Sequence, residues 1–233
     1  MNTHFRSSAV VLLSGGLDSA TVLAIAKQQG YLCYALSFDY GQRHAVELAA
    51  AKRIVKFMGV KKHLIFSLPL DAIGGSALTD PALVVPTTLQ DENNPEDSIP
   101  ATYVPARNLI FLSIALAWAE SLNIDTIFIG VNVIDYSGYP DCRLGFINAF
   151  REIAKLATRS GIQQKKISIK TPLISMRKSE IIECGTKLGI DYSLTVSCYQ
   201  ANDEGKACGV CDACRFRQQG FKEAGIADPT CYY

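Results

Sequence analysis

The sequence predicts an α/β protein: a parallel sheet of five strands flanked by helices, with a small cysteine-rich appendage at the C-terminus. Three observations predict it. Short runs rich in branched and aromatic residues alternate with segments of helical period, the βαβα order of a parallel sheet with right-handed crossovers. At 233 residues, with 48% apolar and 19% charged side chains, the chain can build one large core and makes no compositional case for disorder. From about Thr195 onward the composition shifts to Cys, Gly and polar residues, which divides the chain into a main body, residues 1–194, and a segment, residues 195–233.

The strands are expected at Val10 to Leu13, Tyr31 to Phe38, Leu64 to Leu68, Thr126 to Val131 and Ile167 to Thr171. Between them, Val46, Ala50, Ile54 and Phe57 form one helical stripe, and Phe146, Phe150, Ile153 and Ala157 form another. Ala20 to Ala26 and Leu109 to Ala119 are apolar on nearly all sides, as helices buried between a sheet and its neighbours are. One stretch breaks the rhythm. Pro69 to Pro100 holds five of the nine prolines, six acidic residues and no Lys or Arg, which suits a lid, an insertion or local disorder and not a phosphate pocket.

Subtracting 22 acidic from 23 basic side chains leaves a formal charge of +1, too little for a general polyanion-coating role. The apolar run Ala9 to Leu13 is too short for a signal sequence, and Leu109 to Ala119 falls well short of the roughly 20 residues of a membrane span. A cytoplasmic protein bound neither to membrane nor to nucleic acid is expected, and a homodimer is left open.

Ser14-Gly15-Gly16-Leu17-Asp18-Ser19 follows the first strand and opens the first helix. Two glycines let the backbone approach an anion, the helix N-terminus presents unpaired N–H groups, and two hydroxyls add donors, so the turn can cradle phosphate. It lacks the Lys-Ser/Thr ending of a Walker loop. An ordinary strand-to-helix turn, capped by Ser14 or Asp18, is the bland alternative. SGGLDS resembles the pyrophosphate loop (PP-loop) of the ATP pyrophosphatase superfamily. That resemblance implies a Rossmann-like sheet of the adenine nucleotide alpha hydrolase type, adenylation of a carboxylate or carbonyl oxygen, and Mg²⁺ on the ATP phosphates with Asp18 as its partner.

Further polar clusters fall where strands end, the usual address of a ligand crevice in an open α/β sheet. They are Asp39 to His44, Tyr103 to Asn108, Asn132 to Arg143, and Lys178. Asp39 and Arg43 join the phosphate-binding candidates, and Arg107 and Lys178 are cations placed to meet phosphate oxygens, joining Asp18 as catalytic candidates. His44 reads as a general base or a hydrogen-bonded core residue, and Cys142 as a packed thiol.

SFDYGQRH, TYVPARN, GVNVIDYSGYPDCR and the terminal cysteines, in this order, resemble the 7-cyano-7-deazaguanine synthase family from Val10 to about Arg217. The family reaction implied is the conversion of 7-carboxy-7-deazaguanine, ammonia and two ATP into a nitrile, a queuosine precursor, with release of AMP and pyrophosphate. For such a substrate Asp135 and Asp141 can accept the N–H donors of the base, Tyr136 and Tyr139 can stack on it, and Arg143 can hold its carboxylate. The alternative is that DYSGYPD is a polar turn with capping aspartates. Ala106 stands where the family pattern leads one to expect glycine.

Cys198, Cys208, Cys211 and Cys214 form C-x9-C-x2-C-x2-C. Four thiolates satisfy one tetrahedral Zn²⁺ with no open position, a structural site of one ion per chain. An iron–sulfur cluster and disulfides are the competing readings. Cys33 and Cys184 are expected inside elements, and Cys231 is unassigned. Rival functions are a thiolation enzyme of transfer RNA bases, an adenylating ligase acting on a related deazapurine acid, and a zinc-containing nucleic-acid module using Lys206, Arg215, Arg217 and Lys222. Those four charges read more simply as the solvated face of a terminal helix.

Overall fold

A computed structural model describes residues 7–43, 46–87, 99–134 and 138–233. Five parallel strands, β1 (Ser7–Leu12), β2 (Tyr31–Asp39), β3 (Lys62–Ser67), β4 (Thr126–Phe128) and β5 (Ser168–Lys170), form one sheet in the order β3-β2-β1-β4-β5. The order reverses at β1, so the switch point, where ligands bind in open sheets, lies at the turn that follows it.

Alternation along β1 splits the core in two. Val10 and Leu12 join Leu36, Ile127, Ile147 and Phe150 on one face, beneath α3 (Arg107–Ser121) and α4 (Leu144–Ala157). Ala9, Val11 and Leu13 join Leu23, Ile54, Phe128, Ile181 and Phe221 on the other, beneath α1 (Leu17–Gln28), α2 (Val46–Met58), α6 (Lys178–Lys187) and α7 (Asp212–Ala224). A one-turn α5 (Arg159–Ile162) follows α4. Helix α1 is buried along nearly its whole length, as its all-round apolar character predicts, whereas α3 buries one stripe, Asn108, Leu112, Ala115 and Ala119, and exposes Leu109.

Several expectations shift. β4 ends at Phe128 although the apolar run continues to Val131; the register with β1 and β5 stops at Phe128, Ile129 N–H still donates to Lys170 O (3.0 Å), and Ile129 and Val131 stay buried. The stripes on α2 and α4 are rotated. Phe57 is 54% and Ile153 49% exposed, and α4 buries Ile147, Phe150 and Ala154, a stripe that shares Phe150 with the one read from the large side chains but leaves Ile153 outside. The proline-rich stretch is described at its two ends: Leu70, Ala77, Leu78 and Val85 are buried, and Ala77 and Val85 share a cluster with Cys198, Cys208, Cys211 and Cys214. The C-terminal segment is likewise stitched to the main body, since Phe221 of α7 sits in the second core cluster. Among the described residues no helix is long and apolar enough to cross a membrane.

Candidate functional site

The turn between β1 and α1 is tightly bonded to itself and to the C-terminal segment. Ser14 N–H donates to Ser19 Oγ (3.2 Å), the two serine hydroxyls lie 3.1 Å apart, and Gly16 N–H donates to Ser14 Oγ (3.3 Å). Val196 N–H donates to Gly15 O (3.0 Å), and Leu17 N–H reaches Ser197 Oγ (3.5 Å). Gly15 has φ +98°, and a Cβ there would fall 2.2 Å from the Glu47 carbonyl oxygen, so only glycine lets α2 close on the loop. The Gly16 and Leu17 N–H groups are thus satisfied within the protein, while Ser14, Asp18 and Ser19 line the space ahead of the loop.

That space is a cavity of about 230 Å³. Ser14, Gly16, Leu17, Asp18 and Ser19 form its floor, and Arg43, Glu47, Arg107, Tyr139, Lys178 and Arg217 are among its walls. Lys178 opens α6 and donates to both oxygens of Asp18, at 2.8 and 3.0 Å, with both side chains largely buried. Its stem passes under Gly220, where a Cβ would meet Lys178 Cγ at 2.3 Å. The loop that delivers it is pinned by Asn132, whose amide donates to Leu173 O (3.0 Å) and Met176 O (2.5 Å).

Arg107 begins α3 with its guanidinium 6.0 Å from the centre of the Tyr40 ring. Burial works against its charge, but the neighbouring Tyr40, Tyr139, Cys142 and Asp141 outweigh that, and its pKa is raised. The residue before it, Ala106, has φ 54°, the left-handed conformation that favours glycine, and its N–H donates to Tyr103 Oη (2.9 Å).

The structure gathers some of the expected residues and separates others. Tyr139 lines the cavity, its hydroxyl 2.7 Å from Thr102 Oγ1. Asp141 is buried with its oxygens on Asn108 N–H (2.8 Å) and Asn108 Nδ2 (3.3 Å), so it caps the first turn of α3. Arg43 lines the cavity but donates through Nη2 to the carbonyl oxygens of Asp80 and Leu83, while its Nε is buried without a partner among the described residues. Asp39 and Arg143 are exposed and lie outside the cavity wall. Asp135, Tyr136 and His44 lie outside the described residues. Cys142 is a packed thiol, pushed up to about 12 by burial and by Asp141.

Two cavity residues escaped the sequence reading. Arg217 is no solvated helix charge: it is 3% exposed, donates to Thr195 Oγ1 (2.8 Å) and Tyr192 O (3.0 Å), and pairs with Asp228 (3.0 Å). Glu47, in the first turn of α2, has its carboxyl pushed up to about 7 by burial, against the pull of Arg107. Glu47 falls three residues beyond the polar cluster Asp39 to His44, in the first turn of a helix, and carried no signal in the sequence.

The sulfur atoms of Cys198, Cys208, Cys211 and Cys214 all lie within 4.8 Å of one another, and two pairs stand 4.0 Å apart. A tetrahedron with Zn–S of about 2.3 Å has edges of about 3.8 Å, so the donor set fits one ion, whereas a disulfide needs about 2.05 Å. Backbone N–H groups of Gln200 and Cys208 donate to Cys198 Sγ (both 3.2 Å), and that of Cys211 to Cys208 Sγ (3.4 Å), which favours thiolates. Cys211 is held well below the usual thiol range by its hydrogen-bonding contacts with Cys198 and Cys214.

With this geometry in place, comparison with known proteins is decisive. The family model described as "Queuosine biosynthesis protein QueC" matches residues 8–225. The chain belongs to the QueC family. It is 56% identical over 231 residues to the 7-cyano-7-deazaguanine synthase of Pseudomonas syringae pv. syringae, covering 99% of this chain and 98% of the relative. The proteins of that name from Methylococcus capsulatus and Saccharophagus degradans are each 60% identical, over 96% and 97% of this chain and 98% of each relative. The match to the QueC model takes in the phosphate loop, the cavity walls and all four clustered cysteines.

Proposed function

We propose that this chain is an ATP-dependent ligase that converts 7-carboxy-7-deazaguanine and ammonia into 7-cyano-7-deazaguanine, releasing AMP and pyrophosphate. The observation that carries the reading is the anion cradle of Ser14 to Ser19, set among Lys178, Arg107 and Arg217, in a chain that matches synthases of that name along nearly its whole length. A carboxylate oxygen is a poor leaving group. Transfer of AMP to it makes a mixed anhydride that ammonia can open to the amide, and a second transfer, to the amide oxygen, allows dehydration to the nitrile.

The residues suit those demands. The loop's N–H groups and the Ser14 and Ser19 hydroxyls hold the departing pyrophosphate, and Lys178, Arg107 and Arg217 offset its charge where water is excluded. Asp18 sets the position of Lys178 and is the group that would hold Mg²⁺, which with ATP neutralises phosphate charge. The flat base packs against Tyr139 and Phe111, and Asp135, Tyr136 and Arg143 are assigned to its polar edge and its acid. Asp141 serves the same pocket from behind, by fixing α3 and so Arg107. The four cysteines hold one structural Zn²⁺ per chain. A step on free small molecules belongs in the cytoplasm and needs neither membrane nor nucleic acid.

The nucleotide products test the reading. With ATP, Mg²⁺, ammonium and the carboxylic acid, AMP and pyrophosphate should accumulate only when the acid is present. ADP and orthophosphate would overturn it.

A further inference from the structure

Among the described residues two carboxylates line the cavity, Asp18 and Glu47, and one of them is engaged. Asp18 is taken by Lys178, whereas Glu47 makes no hydrogen bond or ion pair among the described residues. Its place is not incidental. The first turn of α2 lies so close to the phosphate loop that a Cβ on Gly15 would strike the Glu47 carbonyl oxygen, and from there the side chain joins the cavity wall. The other titratable groups that line the cavity are Asp18 from α1, Tyr40 and Arg43 from the turn after β2, Arg107 from α3, Tyr139 and Cys142 from the stretch before α4, Lys178 from α6, Cys198 and Tyr199 from the C-terminal segment, and Arg217 from α7. Of these, Arg107 exerts a resolved pull on the carboxylate. His44 lies outside the described residues. With Asp18 taken up by Lys178, Glu47 is the carboxylate of this cavity left able to receive a proton from something bound there.

We propose that Glu47 is the proton acceptor of the reaction, taking the protons that nitrogen must lose on the way to a nitrile. The inference rests on the reaction proposed above. In the first half, the lone pair of ammonia forms the C–N bond to the adenylated carbonyl carbon, the bond from carbon to the AMP oxygen breaks with its electron pair leaving on AMP, and the nitrogen, now cationic, gives one proton to Glu47. In the second half the adenylated amide loses its remaining N–H protons as the second AMP departs and the carbon–nitrogen triple bond forms, and those protons take the same route to Glu47 and then to water. A base that is half ionised near neutral pH suits both steps, because it can take the proton and release it before the next one arrives.

The second half-reaction provides the test, since it consumes no ammonia and so is free of ammonia's own titration. Nitrile formation from ATP and the amide 7-amido-7-deazaguanine would be followed by mass detection across pH for the wild type, Glu47→Gln and Glu47→Asp. The wild type should lose kcat below about pH 7, the value burial gives Glu47. Glu47→Gln should lower kcat by ~10² or more, with KM for ATP and for the amide little changed, and should flatten the acid limb. Glu47→Asp should keep the limb and part of the rate, which separates a chemical role from a folding defect. A Gln variant with the wild-type rate and limb, or one whose loss lies wholly in KM, would overturn the proposal and make Glu47 a binding or inert group. A wild-type protein that makes no nitrile from the amide or from the acid would instead overturn the reaction itself.

Discussion

Lys178 and Asp18 form an ion pair that bridges the N-termini of two helices, α6 and α1, at 2.8 Å, with side-chain exposures of only 10% and 19%. The pair places one cation at the mouth of the phosphate loop. Removing one partner leaves the other charge desolvated and uncompensated. Lys178→Met should therefore cost ~3 kcal/mol of stability by denaturant unfolding and reduce kcat by ~10² or more, because an anion-stabilising cation is also lost. Asp18→Asn, measured in parallel, should lower kcat comparably; unchanged turnover in both would remove the pair from the chemistry.

Ala106 occupies left-handed backbone at φ 54° just before α3. The conformation costs a residue with a Cβ about 1 kcal/mol relative to glycine. Ala106→Gly should raise the melting temperature by roughly 2–4 °C and leave kcat unchanged, since the Arg107 geometry is retained. A lower melting temperature would mean that the Ala106 methyl packs usefully and that the strain is relieved elsewhere.

The cysteine cluster is tied to the phosphate loop by two short links. Val196, two residues before Cys198, donates to Gly15 O, and Arg217 on α7, three residues after Cys214, lines the cavity. Metal analysis should give one zinc per chain and a colourless protein; iron with absorbance near ~400 nm would contradict this. Stripping the metal with a chelator should destabilise the protein and raise KM for ATP in whatever fraction stays folded. Full ATP affinity in a metal-free, folded protein would uncouple the two sites.

Glu47 carries a stability cost whose sign follows from its environment. Burial raises its pKa from 4.5 to about 7, so the fold favours the protonated form. The stability this preference contributes is complete below pH 4.5 and is lost as pH rises through about 7. Glu47→Gln, neutral at every pH, should match the wild type near pH 5 and melt higher near pH 8. A difference between the two proteins that does not change with pH would show that Glu47 is not buried as an acid.

Sequence patterns exposed what depends on local order. SGGLDS marked a tight strand-to-helix turn because its glycines, hydroxyls and helix start are consecutive, and the cysteines marked a cluster that fits a metal because their spacing is short. The strands were visible as branched runs, though β4 was read too long: an apolar run records burial, and burial continues past Phe128, where the register with β1 and β5 ends. What depends on distant partners was not legible. Arg217 looked like one of four helix charges until Asp228, eleven residues later, turned out to hold it inward. Asp141 looked like a substrate ligand because nothing local revealed that Asn108 would occupy its oxygens.

The central claim is that one active site turns a carboxylic acid into a nitrile at the expense of two adenylations. The most direct measurement is a single incubation of purified protein with ATP, Mg²⁺, 7-carboxy-7-deazaguanine and ¹⁵N-labelled ammonium, read by mass spectrometry. The account predicts a nitrile carrying one ¹⁵N atom, with two AMP formed per nitrile and the labelled amide appearing first. Accumulation of the amide alone with one AMP per product, or transfer of the adenylated acid to an acceptor other than ammonia, would contradict it.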